Sequence, residues 1–356
     1  MKKRILAVLI ATALAVSITG CAGNATSSSD SSSASSVAES SDTSTQTSLD
    51  ASSEDESKEE SSQEESKDLE ANYTKYALDG DLTQHMIDMS RLNEGNKVRL
   101  ANVIKKLKNG EEVTVGFIGG SITQGTSAGN DLCYAKLTAD WLQQTYSNAK
   151  INYVNAGIGA TGSYIGVHRV ANDLLSKNPD LVFVEFSVND TTENTERNKK
   201  SYDGLLRTIW KSSTNPAIIT IATTQEDGTS FQDQHAEIVK HYDLPMISYR
   251  NTILDTIKHG DIVWKDISDD NIHPNVPGHK IVSQLLQAYI SDVDKDVDNI
   301  SGSESDFTTP ATDAPIENGS LIQPSSATDV TATGAFGNYE QQFGGFDGFW
   351  LFKGTS

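Results

Sequence analysis

Val113-Thr-Val-Gly-Phe-Ile-Gly-Gly-Ser-Ile-Thr-Gln-Gly125 decides the architecture. Its first half is β-branched and aromatic, the composition of a buried strand. Gly119-Gly120 ends that strand, and a short polar run follows. A strand that stops there and turns toward a helix leaves Ser121 at the carboxyl edge of a sheet, where ligands bind in open α/β proteins. Two readings of Ser121 fit this stretch alone. It is a nucleophile under converging backbone N–H groups, or it merely caps the next helix.

Outward from this strand the pattern alternates. Helical spacing covers Asn96–Asn109, Asp131–Ser147 and a run beginning at Ser163. Ile151–Val154 reads as a short strand and Leu181–Phe186 as an apolar central one. Asp203–Ser213 and Phe231–Tyr242 read as helices, Ala217–Ala222 and Pro245–Tyr249 as strands, and Pro277–Ile290 as a closing helix with proline at its start. Five strands alternating with helices predict a three-layer α/β/α sandwich around a five-stranded parallel sheet. Residues 71–290 are long enough for one well-buried domain.

The flanks differ in kind. Residues 1–20 read as a secretory signal: Lys2, Lys3 and Arg4 precede an apolar run too short to span a bilayer. Ile18-Thr-Gly-Cys21 resembles a bacterial lipobox, whose cysteine becomes the lipid-modified first residue of the mature protein. Two acyl chains on Cys21 would anchor the protein stably to the membrane, outside the cytoplasm. The other cysteine, Cys133, is then left without a disulfide partner and reads as a small buried hydrophobe. Residues 21–70 are Ser, Thr, Asp and Glu with almost no large apolar group, a disordered tether with a reach of roughly 40 Å.

Residues 291–329 form an acidic linker with Pro310, Pro315 and Pro324. Residues 330–356 alternate glycine and aromatic residues in a strand-like way, as a docked hairpin or as part of a β-rich accessory module. The signal carries +3, the tether −11 and residues 291–356 −9, which leaves −4 for residues 71–290 of the total −21. The acidity thus belongs to the flanks. With no basic stripe, nucleic acid is excluded as a partner.

Four strand-to-helix loops should open on one edge of the sheet. They carry Ser121, then Asn155-Ala-Gly-Ile-Gly-Ala-Thr-Gly162, then Ser187-Val-Asn-Asp190, then Ser268-Asp-Asp-Asn-Ile-His-Pro-Asn-Val-Pro-Gly-His279. Acyl transfer needs a nucleophile, a base, a group that orients the base, and donors for the developing oxyanion. These loops offer all four. The chain resembles the SGNH (GDSL-type) esterase/acylhydrolase family over about residues 113–290, with carbohydrate esterases among its relatives.

The resemblance implies a flavodoxin-like fold with Ser121 as nucleophile, His273 as base and Asp270, three residues earlier, as its partner. It also implies an oxyanion hole of the Ser121 and Gly157 N–H groups and the Asn189 side-chain amide. It implies no cofactor. Gly120 departs from the commoner pattern, which has aspartate there. On residue chemistry alone, Asn189 and Gly157 also read as turn residues, and Asp269 competes with Asp270.

Trp264 is a candidate sugar-stacking face or an ordinary partly buried tryptophan. Thr191–Lys200 reads as a polar loop. His168, His235 and His241 read as surface or packing residues, and His273 with His279 lacks the further ligands of a metal site. The expectation is a monomeric, surface-anchored serine esterase that removes O-acetyl groups from polysaccharide. Lipid acyl esters, and binding of a glycan or other solute without catalysis, are the competing functions.

Overall fold

The computed structural model describes residues 73–192, 194–317 and 319, together with the backbone of Phe336–Tyr339 and Phe349–Phe352. The signal, Cys21, the tether and most of residues 330–356 lie outside the described residues. The C-terminal pair, Phe336–Tyr339 and Phe349–Phe352, forms a two-stranded antiparallel ribbon in which Phe336 faces Phe352.

From the N-terminal side the elements are α1 (Gln84–Ser90), β1 (Arg91–Asn93), α2 (Val98–Lys108), β2 (Glu112–Gly119), α3 (Ser121–Gln124), α4 (Tyr134–Thr145) and β3 (Lys150–Gly157). There follow α5 (Ser163–Asp173), β4 (Leu181–Glu185), α6 (Thr195–Trp210), β5 (Ala217–Ala222), α7 (Gln232–His241) and β6 (Met246–Ser248). The last are α8 (Tyr249–Lys258), α9 (Trp264–Ile267) and α10 (Val276–Lys295).

The sheet runs β1-β6-β5-β4-β2-β3. Its five parallel strands are those expected, in the flavodoxin-like order that reverses direction of growth between β3 and β4. A sixth strand, β1, corrects the expected count by adding antiparallel to β6. Three residues, two of them polar, are too few to show an alternation in sequence.

Strand periodicity splits the core into two layers. On β4, Leu181 and Phe183 join the face covered by α2, α4, α8 and α10, while Val182 and Val184 join the face covered by α5, α6 and α7. Phe183 is fully buried and stacks on Phe117 at 4.6 Å. Burying one such ring contributes about 1.5–3 kcal/mol.

The helices α1, α8 and α9 lie outside the sequence expectation, and two further segments depart from it. Thr191–Lys200 is not all loop: α6 begins at Thr195, and the Asn194 side chain caps it by accepting from Arg197 N. Its first turns are polar, yet Asn198, Ser201 and Tyr202 are buried. Beyond α10, residues 303–317 do not run free as a linker but lie as a strap on the domain. Phe307 stacks on Tyr242 at 3.9 Å and on Trp210 at 4.5 Å. Asp203 accepts from the backbone N and Oγ1 of Thr312, and Arg99 and Arg207 pair with Glu304 and Glu317. Gly204 is small because the strap's backbone crosses it: a Cβ there would lie 1.8 Å from Ile316 O.

Candidate active site

The turn after β2 is built for close approach. A Cβ on Gly119 would meet Thr123 Oγ1 at 2.1 Å, and one on Gly120 would meet Asn189 Oδ1 at 1.9 Å. Two glycines therefore let the strand end directly under the loop that follows β4. The buried Arg169 guanidinium fixes this edge by donating to Gly119 O at 3.0 Å and to Ala156 O at 2.5 Å. Ser121 opens α3, so its N–H lies in the first turn, where a helix offers no internal acceptor.

The loop between α9 and α10 brings the other groups to Ser121. Its Oγ is 2.9 Å from His273 Nε2, and His273 Nδ1 is 2.8 Å from Asp270 Oδ2. The other carboxylate oxygen, Oδ1, accepts from the backbone N–H groups of His273 at 2.6 Å and Ile272 at 2.7 Å. One oxygen thus shapes the loop while the other orients the ring. Burial pushes the Asp270 carboxyl up, but the two backbone donations and the His273 imidazole outweigh it and hold it near 2. Asp269 makes no such contact with the ring. Its carbonyl instead accepts from Lys265 Nζ.

Ser268 and Trp264 brace the same loop. Ser268 Oγ lies within donating distance of His273 O and Asp270 O, and the Trp264 indole N–H donates to Asp270 O at 2.6 Å. Trp264 is only 6% exposed, so it has no open face for a sugar; its part is to hold the Asp270 backbone. Nothing in the sequence distinguished a bracing indole from a presented one.

Asn189 opens the turn after β4 and lies against Gly120. The residue behind it was not singled out from sequence. Asp190 is fully buried, accepts from Ser163 N at 2.7 Å and pairs with the equally buried His235 at 2.9 Å. It therefore ties the loop bearing Asn189 to the start of α5. An acid directly following the edge asparagine was the signal available.

The loop after β3 corrects one assignment. Gly157 N–H donates to Asn155 Oδ1 at 2.8 Å and is not free for an oxyanion. The backbone that reaches Ser121 comes two residues later: a Cβ on Gly159 would lie 3.8 Å from Ser121 Cβ. Gly159 N–H is itself taken by Gln124 Oε1 at 2.9 Å. Ala160 follows in the left-handed region at φ +57, and among the described residues no acceptor meets its N–H.

Cys133 is buried at the start of α4 and unpaired. His279 is buried too, its Nδ1 accepting from Tyr134 N, and burial pushes its pKa down to about 4. It serves as a neutral packing group.

A flavodoxin-like sheet brings a serine, an imidazole and a carboxylate into one hydrogen-bonded row at its switch point, an arrangement suited to acyl transfer. The pattern of the GDSL-like lipase/acylhydrolase family matches residues 117–281. Two solved structures of a two-domain esterase (CEX) active on acetylated mannans are similar to the chain. One is 35% identical with a TM-score of 0.69, over 74% of this chain and 71% of that one. The other, co-crystallized with mannopentaose, is 37% identical with a TM-score of 0.59, over 64% of this chain and 60% of that one. The curated proteins contain no match. The chain belongs to the GDSL-like lipase/acylhydrolase family and is a carboxylic ester hydrolase of the SGNH type.

Proposed function

We propose that this protein is an acetyl esterase that removes O-acetyl groups from mannan-type polysaccharide through an acyl-enzyme. The observation that carries the mechanism is the 2.9 Å contact of Ser121 Oγ with His273 Nε2, backed by Asp270. His273 takes the Ser121 proton as the oxygen attacks the acetyl carbonyl, then returns it to the departing sugar hydroxyl. Asp270 keeps the ring in the tautomer that leaves Nε2 free and stabilises the imidazolium. Water, activated by the same imidazole, then releases acetate.

The oxyanion is met by the Ser121 N–H, the Asn189 amide and the N–H of Ala160, in place of Gly157. The substrate class rests on the likeness to the esterase active on acetylated mannans. Lipid modification of Cys21 would fix the enzyme at the outer face of the membrane, with the tether holding it clear of the head groups.

The test is acetate release by the purified chain from acetylated mannan, acetylated xylan and p-nitrophenyl esters of graded length. Acetylated mannan should be the best polysaccharide, and acetate should be released faster than octanoate. Faster octanoate release, or activity retained in Ser121→Ala, would overturn the reading.

A further inference from the structure

On the same domain, two helices bring a second group of chemically able side chains together. His85 lies on α1, Asp255 on α8, and His259 caps α8 one turn further on. Residues four apart share a helix face, so α8 presents a carboxylate and an imidazole side by side, and α1 packs a second imidazole against them. His85 Nε2 is 2.6 Å from Asp255 Oδ2, and His259 Nδ1 is 3.2 Å from the same oxygen. One ligand atom from each of the three residues falls within 4.8 Å of the others.

The cluster is enclosed. His85 is 3% exposed, and Tyr73 stacks on the His259 ring at 4.2 Å while meeting His85 edge-on at 5.5 Å. Two imidazoles and one carboxylate form a donor set of the zinc type.

From this we propose that His85, Asp255 and His259 bind a divalent transition-metal cation, zinc in particular, as a structural clamp between α1 and α8. In a tetrahedral shell, ligand atoms about 2.0 Å from zinc stand roughly 3.3 Å from one another. The 3.2 Å separation already meets this, and the His85 contact need open only by a side-chain adjustment. In the metal-free chain His259 Nδ1 donates to Asp255 O at 2.9 Å, so the ring must give up that bond and turn its Nδ1 lone pair to the cation as it binds. The α8 helix starts at the edge that bears Ser121 and ends, at His259, away from it. The cation therefore holds the entry of the chain into the domain, residues 73–90, and takes no part in ester cleavage.

The full chain, stripped with a chelator and returned to chelator-free buffer, should bind one equivalent of Zn²⁺ by calorimetry with a dissociation constant below about 10 μM. Its melting temperature should rise on binding. Co²⁺ should bind at the same site and give the intense visible bands of a tetrahedral centre. His259→Gln, at a partly exposed helix end, should weaken Zn²⁺ about 100-fold while metal-free acetate release stays at the wild-type rate. His85→Gln should do the same, with circular dichroism reporting whether it folds. Absence of stoichiometric Zn²⁺ binding by the wild-type chain, or equal affinity in a folded His259→Gln, would overturn the proposal.

Discussion

Gly120 and Asn189 occupy one another's space: a methyl group on Gly120 would lie 1.9 Å from Asn189 Oδ1. The backbone at Gly120, φ −86 and ψ −149, is open to other residues, so the constraint is steric alone. Gly120→Ala should therefore push the Asn189 amide away from Ser121 while leaving the sheet intact. The expected result is a loss of about 10²-fold in kcat, comparable to losing one oxyanion donor, with KM and Tm little changed. Steady-state kinetics on p-nitrophenyl acetate would check it, and an unaltered kcat would remove Asn189 from the oxyanion hole.

Asp270→Asn keeps the shape of the loop but reverses the preference of the His273 tautomer. Turnover should fall about 10³–10⁴-fold. Because the Asp270 carboxyl titrates near 2, below its unfolded value of about 3.9, its contribution is complete above the unfolded pKa and is lost as pH falls through about 2. Protonation of Asp270 should thus leave the pH–rate profile untouched above about pH 4. An acid limb that moves with the carboxylate in an Asp270→Glu variant would contradict this.

His279 makes stability fall on mild acidification. Burial holds it near 4, below the unfolded value of about 6.5. The unfolded chain therefore binds the extra proton between these values. The stabilisation is whole above about pH 6.5, declines as pH drops toward 4, and amounts to roughly 3 kcal/mol. Urea midpoints measured from pH 7 to 5 should show this decline, and His279→Gln should flatten it. An equal slope in the variant would assign the effect elsewhere.

Removing Asp190 should cost both stability and rate. The side chain is fully buried and serves His235 and Ser163 N at once, so Asp190→Ala leaves two buried groups without their partner. The cost should be about 3–5 kcal/mol, a fall in Tm of roughly 6–20 °C. Because Asn189 is the neighbouring residue, kcat should fall further than the folded fraction at the assay temperature explains. A thermal melt paired with activity per folded molecule separates the two effects.

The parallel strands and the meeting of Ser121 with His273 were legible because each combines several cues. Glu112–Gly119, Leu181–Glu185 and Ala217–Ala222 are apolar and bounded by breakers, and Ser121 and His273 lie on short motifs in the right order. What stayed hidden depends on partners distant in sequence. The polar start of α6 is helical because its buried face meets α5 and the turn at Asp190, and α8 follows β6 with no break but the Ser248 cap. Gly157 was misread because an asparagine two residues away captures its N–H. Trp264 faces inward to a carbonyl that composition cannot locate. Phe307 sits in an acidic, proline-containing stretch whose composition masks one decisive aromatic contact.

The strap has a direction as well as a set of contacts. It meets Trp210 through Phe307, then Asp203 through Thr312, then the Lys200 carbonyl through Ile316, and there turns back, Glu317 pairing with Arg207 and Lys211. Fastened to α6 at both ends, the strap and that helix should come undone in one cooperative step, not peel apart.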